Sequence, residues 1–158
     1  MGTTTELRRE IKQRFVPFAL ERGFVLDQKR APTFMEFRRE SADVAHLFDI
    51  QWEKYGRPRF VVNFGTCPLE GLRVKEKTFP VSEVIASWLP DSGRLQPRKG
   101  TSASSWFRQD RPFLARLFSS TKLYPASQVV DELLRLFPEL EEYWASGKVG
   151  PHVFRAAP

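Results

Sequence analysis

VAHLFDIQW at Val44–Trp52 and RFVVNFGT at Arg59–Thr66 decide the fold, because their apolar residues can share one face in only one pairing parity. In the first stretch the even positions Val44, Phe48, Ile50 and Trp52 are apolar, with His46 among them, while the odd positions include Asp49, Gln51 and Glu53. In the second, Phe60, Val62 and Phe64 are apolar at even positions, and Asn63 and Gly65 are odd. Side chains alternate across a strand, so the apolar faces coincide only when paired residue numbers add to an even value. A tight loop centred on Gly56 gives a sum of 112. Phe48 then faces Phe64, Ile50 faces Val62, Trp52 faces Phe60, and Asp49 lies opposite Asn63.

Working outward, Thr3 and Glu6 have capping-box spacing, and Leu7, Ile11, Phe15, Phe18 and Leu20 recur at near-helical intervals. Gly23 is placed to end that helix, and Pro17 predicts a kink or break near Val16. Strands are expected at Phe24–Lys29 and Thr33–Arg39, joined by a turn at Ala31-Pro32 and followed by another at Ser41–Asp43. With the hairpin they make a four-stranded antiparallel meander. Beyond it, Val81, Val84, Ile85, Trp88 and Leu89 predict a short amphipathic helix, and Leu95–Ser105 reads as a mobile loop. Pro112 starts a helix over Phe113–Phe118. Ser127 caps a longer one carrying Val130, Leu133, Leu134, Phe137, Leu140 and Trp144, which Pro138 should kink or split; the tail after Gly147 is expected to be irregular.

The expected fold is therefore a single α+β domain over residues 1–158: a four-stranded antiparallel meander with one face packed by an N-terminal helix and a C-terminal helix pair. Leu7, Ile11, Phe15, Leu133, Leu134, Phe137 and the even hairpin positions form its core. A chain of 158 residues buries about 70% of its unfolded surface, and 14 Phe and 4 Trp supply core material without a disulfide or a metal. No apolar run nears the length of a membrane span, and the charged first twenty residues carry no secretory signal, so a cytoplasmic protein is expected.

Few catalytic arrangements are open to a chain with two histidines and one cysteine. A Cys67–His46 dyad fails on parity, since the even-sum pairing sends the two to opposite faces. His152 has no metal-ligand spacing near it, and neither a phosphate-binding glycine loop nor a zinc signature occurs. No cofactor and no metal is implied. Asp49, Gln51 and Asn63 form the best polar group, with Arg38 on the preceding strand as a fourth ligand-binding candidate. They can bind a small ligand, satisfy one another, cap a segment that crosses the sheet, or form a solvated face. Acid–base chemistry needs a second carboxylate or a histidine on that face, and Glu53 is the only candidate, close to the turn.

Charge is placed unevenly. Residues 94–122 hold seven basic side chains (Arg94, Arg98, Lys99, Arg108, Arg111, Arg116, Lys122) against Asp110 alone, while 18 basic and 18 acidic residues balance elsewhere. Such a patch, with Trp106 among it, suits an acidic protein partner, a nucleic acid or an anionic ligand. No recognised nucleic-acid module accompanies it.

The chain resembles a bacterial family of unknown function, the DUF4304-type proteins. The likeness runs from the N-terminal helix through Gly23-Phe24, Phe37-Arg38, Phe48-x-x-Gln51 and Phe60-Val61-Val62-Asn63-Phe64-Gly65, and resumes at Arg94-Leu95 and Trp106-Phe107. Trp52-Glu53-Lys54-Tyr55 departs from the family's serine- or lysine-rich turn, and Phe107 stands where the family has the second of two tryptophans. The resemblance implies an α+β protein with a meander sheet and supplies neither an activity nor catalytic residues. The function expected is a small non-enzymatic binding protein that captures an acidic partner, as an immunity protein does its toxin. Nucleic-acid binding through the basic segment and ligand chemistry on the polar sheet face stand as alternatives.

Overall fold

A computed structural model describes residues 4–99, 105–118 and 123–156. Thr3 of the capping box, residues 100–104 of the expected loop, and Lys122 lie outside them. The fold is α+β, and its main sheet has seven strands rather than four.

The N-terminal helix is unbroken from Thr4 to Glu21 but changes pitch. α1 (Thr4–Glu10) passes into a π turn over Ile11–Phe15 and then α2 (Val16–Glu21), whose first turn holds Pro17. Proline has no N–H to donate, and its ring crowds the carbonyl four residues back. The helix meets this by widening, with the Val16 amide donating to the Ile11 carbonyl five residues earlier, rather than by breaking. Gly23, at φ 86°, closes the helix as expected.

β1 (Val25–Asp27), β2 (Phe34–Glu40), β3 (Val44–Trp52) and β4 (Arg59–Pro68) form the antiparallel meander. The β3–β4 register has the expected even sum: Phe48 pairs with Phe64, Ile50 with Val62, Trp52 with Phe60 and Asp49 with Asn63. β2 pairs with β3 so that Phe37 meets Phe48 and Glu36 meets Asp49. His46 lies opposite Thr66 while Cys67 lies opposite Ala45, so histidine and cysteine project to different faces.

The apolar even positions of β3 and β4, with Phe37 of β2 on the same face, carry the core. Phe37, Phe48, Ile50, Trp52, Phe60, Val62 and Phe64 are buried with Leu7, Ile11, Phe15, Leu133 and Phe137; Leu134 is half-buried at the margin. Phe48 is the hub, stacked on Phe37 at 4.5 Å and edge-on to Phe24, Phe137 and Phe15 at 4.9, 5.2 and 5.9 Å.

Downstream of β4 the structure departs from expectation. A separate hairpin, β5 (Leu72–Val74) and β6 (Lys77–Phe79), leads into two 3₁₀ turns, Val81–Glu83 and Ala86–Trp88, where one amphipathic helix was expected. Val81, Val84, Ala86 and Leu89 all face the sheet and join Ala45, Leu47 and Cys67 in a second core. Their intervals of three, two and three residues are met by alternating turn and extended backbone, not by one α-helix. Gly65 admits this crossing: a Cβ there would come within 2.6 Å of Leu89 Cδ1.

Three short strands complete the sheet. β7 (Gly93–Leu95) pairs with β4, β8 (Phe107–Arg108) pairs with the start of β4, and β9 (Val153–Arg155) pairs with β7. The expected loop thus opens on a strand, and the expected irregular tail contains one. The first covers the edge of β4, and the second covers the edge of β7 in turn.

α3 (Phe113–Leu117) begins after Pro112, and α4 (Ala126–Ser146) covers the core face. α4 begins after Pro125, with Ser127 one residue inside rather than at the cap, and runs through Pro138 without splitting. Pro138 is exposed while Phe137 and Leu140 are buried on the core side, so packing holds the helix across the missing hydrogen bond. Among the described residues no helix is long and apolar enough to cross a membrane.

Phe48→Ala should lower the unfolding free energy by about 3–5 kcal/mol in urea titrations. Tyr55→Ala, at the exposed hairpin tip, should change it by less than about 0.5 kcal/mol.

Candidate functional site

The β2–β3–β4 register sends Glu36, Arg38, Asp49, Gln51 and Asn63 to the face opposite the helices. The trio expected from sequence is brought together. Asn63 Nδ2 donates to Asp49 Oδ1 at 2.8 Å and to Gln51 Oε1 at 3.0 Å. Asn63 Oδ1 accepts from Arg94 Nε at 3.1 Å, so both ends of the amide are used.

Arg38 shares the face but not the cluster. Its guanidinium turns to Asp27 at 3.3 Å and Glu40 at 2.9 Å. Arg30, from the β1–β2 connection, takes the expected position instead: Nε donates to Glu36 Oε1 at 2.7 Å and Nη2 reaches Asp49 Oδ2 at 3.4 Å. The second carboxylate is Glu36, directly across from Asp49, and not Glu53, which accepts from the Tyr55 and Arg57 amides in the β3–β4 turn. The signal for Glu36 was its parity with Arg38; it needed the β2–β3 register to be read.

The crossing segment covers the centre of this face, while Gln51, Arg38 and Arg30 at its margin are half-buried. Asp49, Glu36 and Asn63 are buried. Burial pushes the Asp49 carboxyl up to about 6, against the downward pull of the Asn63 hydrogen bond and Arg30. The adjoining cavities divide the group. One of about 10 Å³ touches Glu36, Arg38 and Asp49, room for no more than a single water. Another of about 270 Å³ touches Asn63 and Arg94 beside Ser92 and Phe154. The paired carboxylates therefore have no space beside them for a substrate, and the group acts as a self-satisfied network beneath a crossing segment.

On the odd face beyond it, Cys67 sits in the second core, where burial raises its thiol above the usual value. His46 on the other face stacks on Trp144 at 4.6 Å, and burial, aided by Arg39, lowers its pKa. Neither is poised as a nucleophile or base.

The basic segment is spread over several environments. Arg94 belongs to the sheet network, whereas Arg98 and Lys99 are exposed. Arg108 is tied to Asp110, with Nη2 at 2.7 Å from Oδ2 and Nε at 2.7 Å from the backbone carbonyl. Arg111 lies over the Tyr124 ring at 4.2 Å, and Arg116 Nε donates to the Arg111 carbonyl at 3.2 Å. Phe107 is buried and stacked on Phe60, while Trp106 is half-buried with Arg59 over its ring at 5.0 Å. A cavity of about 440 Å³ opens here, lined by Arg98, Trp106, Arg108, Tyr124, Gln128 and Glu132 among others.

One feature of this region was missed by sequence reasoning. Phe113, Leu114, Leu117 and Phe118 are 73%, 71%, 63% and 90% exposed, so α3 presents nearly all its apolar area outward. The signal was available: FLARLF at 113–118 has four large apolar side chains in six residues, more than one buried helical stripe requires.

No family model, curated protein or solved structure matches this chain.

Asp49 loses its proton near 6 in the fold and near its usual 3.8 when unfolded. The folded state thus binds the proton more tightly, so stability falls as pH rises from about 4 to about 6 and then levels. The decrease attributable to Asp49 is on the order of 2–3 kcal/mol. Asp49→Asn should remove it, seen as a flatter difference between urea unfolding curves taken at about pH 4 and about pH 7. A variant whose pH dependence parallels that of the parent would contradict the placement.

Proposed function

We propose that this chain is a non-enzymatic binding protein of the bacterial cytoplasm that captures an acidic protein partner, much as an immunity protein holds its toxin, and that it belongs with the DUF4304-type proteins. The observation that carries the reading is α3. Four large apolar side chains stand out from the surface, with the exposed Arg116 among them and Arg111 just before the helix. Contiguous exposed apolar area of this kind marks interaction sites, and charged rims set the rate and choice of partner. The matching surface is an apolar groove rimmed by carboxylates. The buried polar network on the sheet has the opposite character: its hydrogen bonds are satisfied within the chain and leave little to offer a ligand.

A second reading rests on the cavity beside Trp106. A half-buried indole with Arg98 and Arg108 along the same wall suits a stacked base and its phosphate. Single-stranded RNA binding that weakens steeply between about 50 and 200 mM salt would favour it over the protein partner.

Leu114→Asp combined with Leu117→Asp should leave the melting temperature unchanged, because both side chains are exposed. The pair should weaken the partner complex by at least about 30-fold. Arg116→Glu should chiefly slow association and reduce its salt dependence. The measurement is comparative affinity capture from the native host with parent and variant, followed by surface plasmon resonance on the protein recovered. Equal recovery by the double aspartate variant would refute the α3 surface.

A further inference from the structure

A second cavity of about 440 Å³ lies at the β1 edge of the sheet, between the N-terminal helix and the β1–β2 connection. Its walls are Val16, Leu26, Phe34, Met35, Ala31 and Pro32, and its polar lining comes from Arg8, Lys12 and Gln28. The volume falls within the roughly 300–1,000 Å³ of small-molecule pockets, and the wall has their usual composition: mostly apolar, with a few charged or polar groups at one side.

Arg8 is the informative residue. It is half-buried, with its guanidinium over the Trp52 ring at 4.3 Å and Nη1 donating to the Pro32 carbonyl at 2.8 Å. Among the described residues it has no carboxylate partner, and its other N–H groups have no acceptor. Arg30, Arg39 and Arg108, also half-buried, are each paired with carboxylates, Arg30 with Glu36 and Asp49, Arg39 with Glu141 and Arg108 with Asp110; Arg111 shares the lack of one among the described residues and lies over the Tyr124 ring instead. The Arg8 guanidinium is partly withdrawn from water and has no counterion among the described residues, and its free edge is shaped to receive two oxygens of one anion. Lys12 stands one helical turn away, at the start of the π turn that Pro17 imposes, and adds a second cation to the same rim.

We infer that this cavity binds an amphiphilic carboxylate: an aliphatic chain against Val16, Leu26 and Met35, with its head group on Arg8 beside Lys12. An inorganic anion would leave the apolar wall unused, and an uncharged hydrocarbon would leave Arg8 unpaired. The site lies on elements distinct from α3 and does not depend on the partner reading above.

The probe is decanoate, titrated below its micelle concentration by calorimetry, with decanol and acetate as the two halves of its chemistry. Decanoate should bind one to one, with decanol and acetate each at least tenfold weaker. Arg8→Met should reduce decanoate affinity at least tenfold and leave decanol binding unchanged. Methyl NMR of the parent protein provides a readout independent of that variant's folding: decanoate should shift Val16, Leu26 and Met35. Decanol binding as tightly as decanoate, shifts confined to Leu114 and Leu117 of α3, or no decanoate binding at all would each overturn the assignment.

Discussion

Everything in this structure depends on the parity of one pairing. Because β3 and β4 align with residue numbers adding to 112, each apolar even position meets another and each odd position is sent to the other face. A slip of one residue would put Phe48 and Phe64 on opposite faces and bring Asp49 into a core built around phenylalanine. β2 extends the same sorting, with Phe37 stacked on Phe48 and Glu36 carried to Asp49. The helices then pack where the aromatic rings are, so the register also determines which face they cover.

The opposite face pairs cost with compensation. Two neighbouring carboxylates leave water when the 69–92 stretch crosses the sheet, and Asp49 answers by holding its proton to a higher pH. Arg30 and Asn63 supply the remaining stabilisation through hydrogen bonds of 2.7–3.4 Å. A satisfied network of this sort specifies a unique arrangement, since removing one partner leaves another buried and unpaired. Side chains remain exposed instead on α3 and along the two cavities of about 440 Å³.

The legible parts of the fold were those with periodic side chains or special backbone. Alternation at 44–52 and 59–66 revealed the central hairpin and the polar trio, and Gly23 and Pro17 marked where the first helix ends and where its pitch changes. Strands of two or three residues, such as Phe107–Arg108 and Val153–Arg155, carry no period to detect; the first is placed by the edge of β4 and the second by the edge of β7. Val81–Leu89 misled because its apolar residues fit a helical stripe loosely, whereas the sheet beneath them selects turns and extended pieces. Arg38 was placed on the right face, but Asp27 and Glu40 are nearer to its guanidinium, and Arg30 comes from a connection whose path no local pattern describes. α3 was recognised as a helix, yet its exposure depends on where the rest of the chain leaves room.

One register has two consequences: a core face closed by helices, and a polar face whose centre is closed by a crossing segment. The most direct test is a nuclear Overhauser map of the β3–β4 pair in solution. Cross-strand contacts between the backbone protons of Asp49 and Asn63, together with ring contacts from both Phe48 and Phe64 to α4 side chains, are the predicted result. Backbone contacts that pair Asp49 with Val62 or Phe64 in an odd-sum alignment would contradict it.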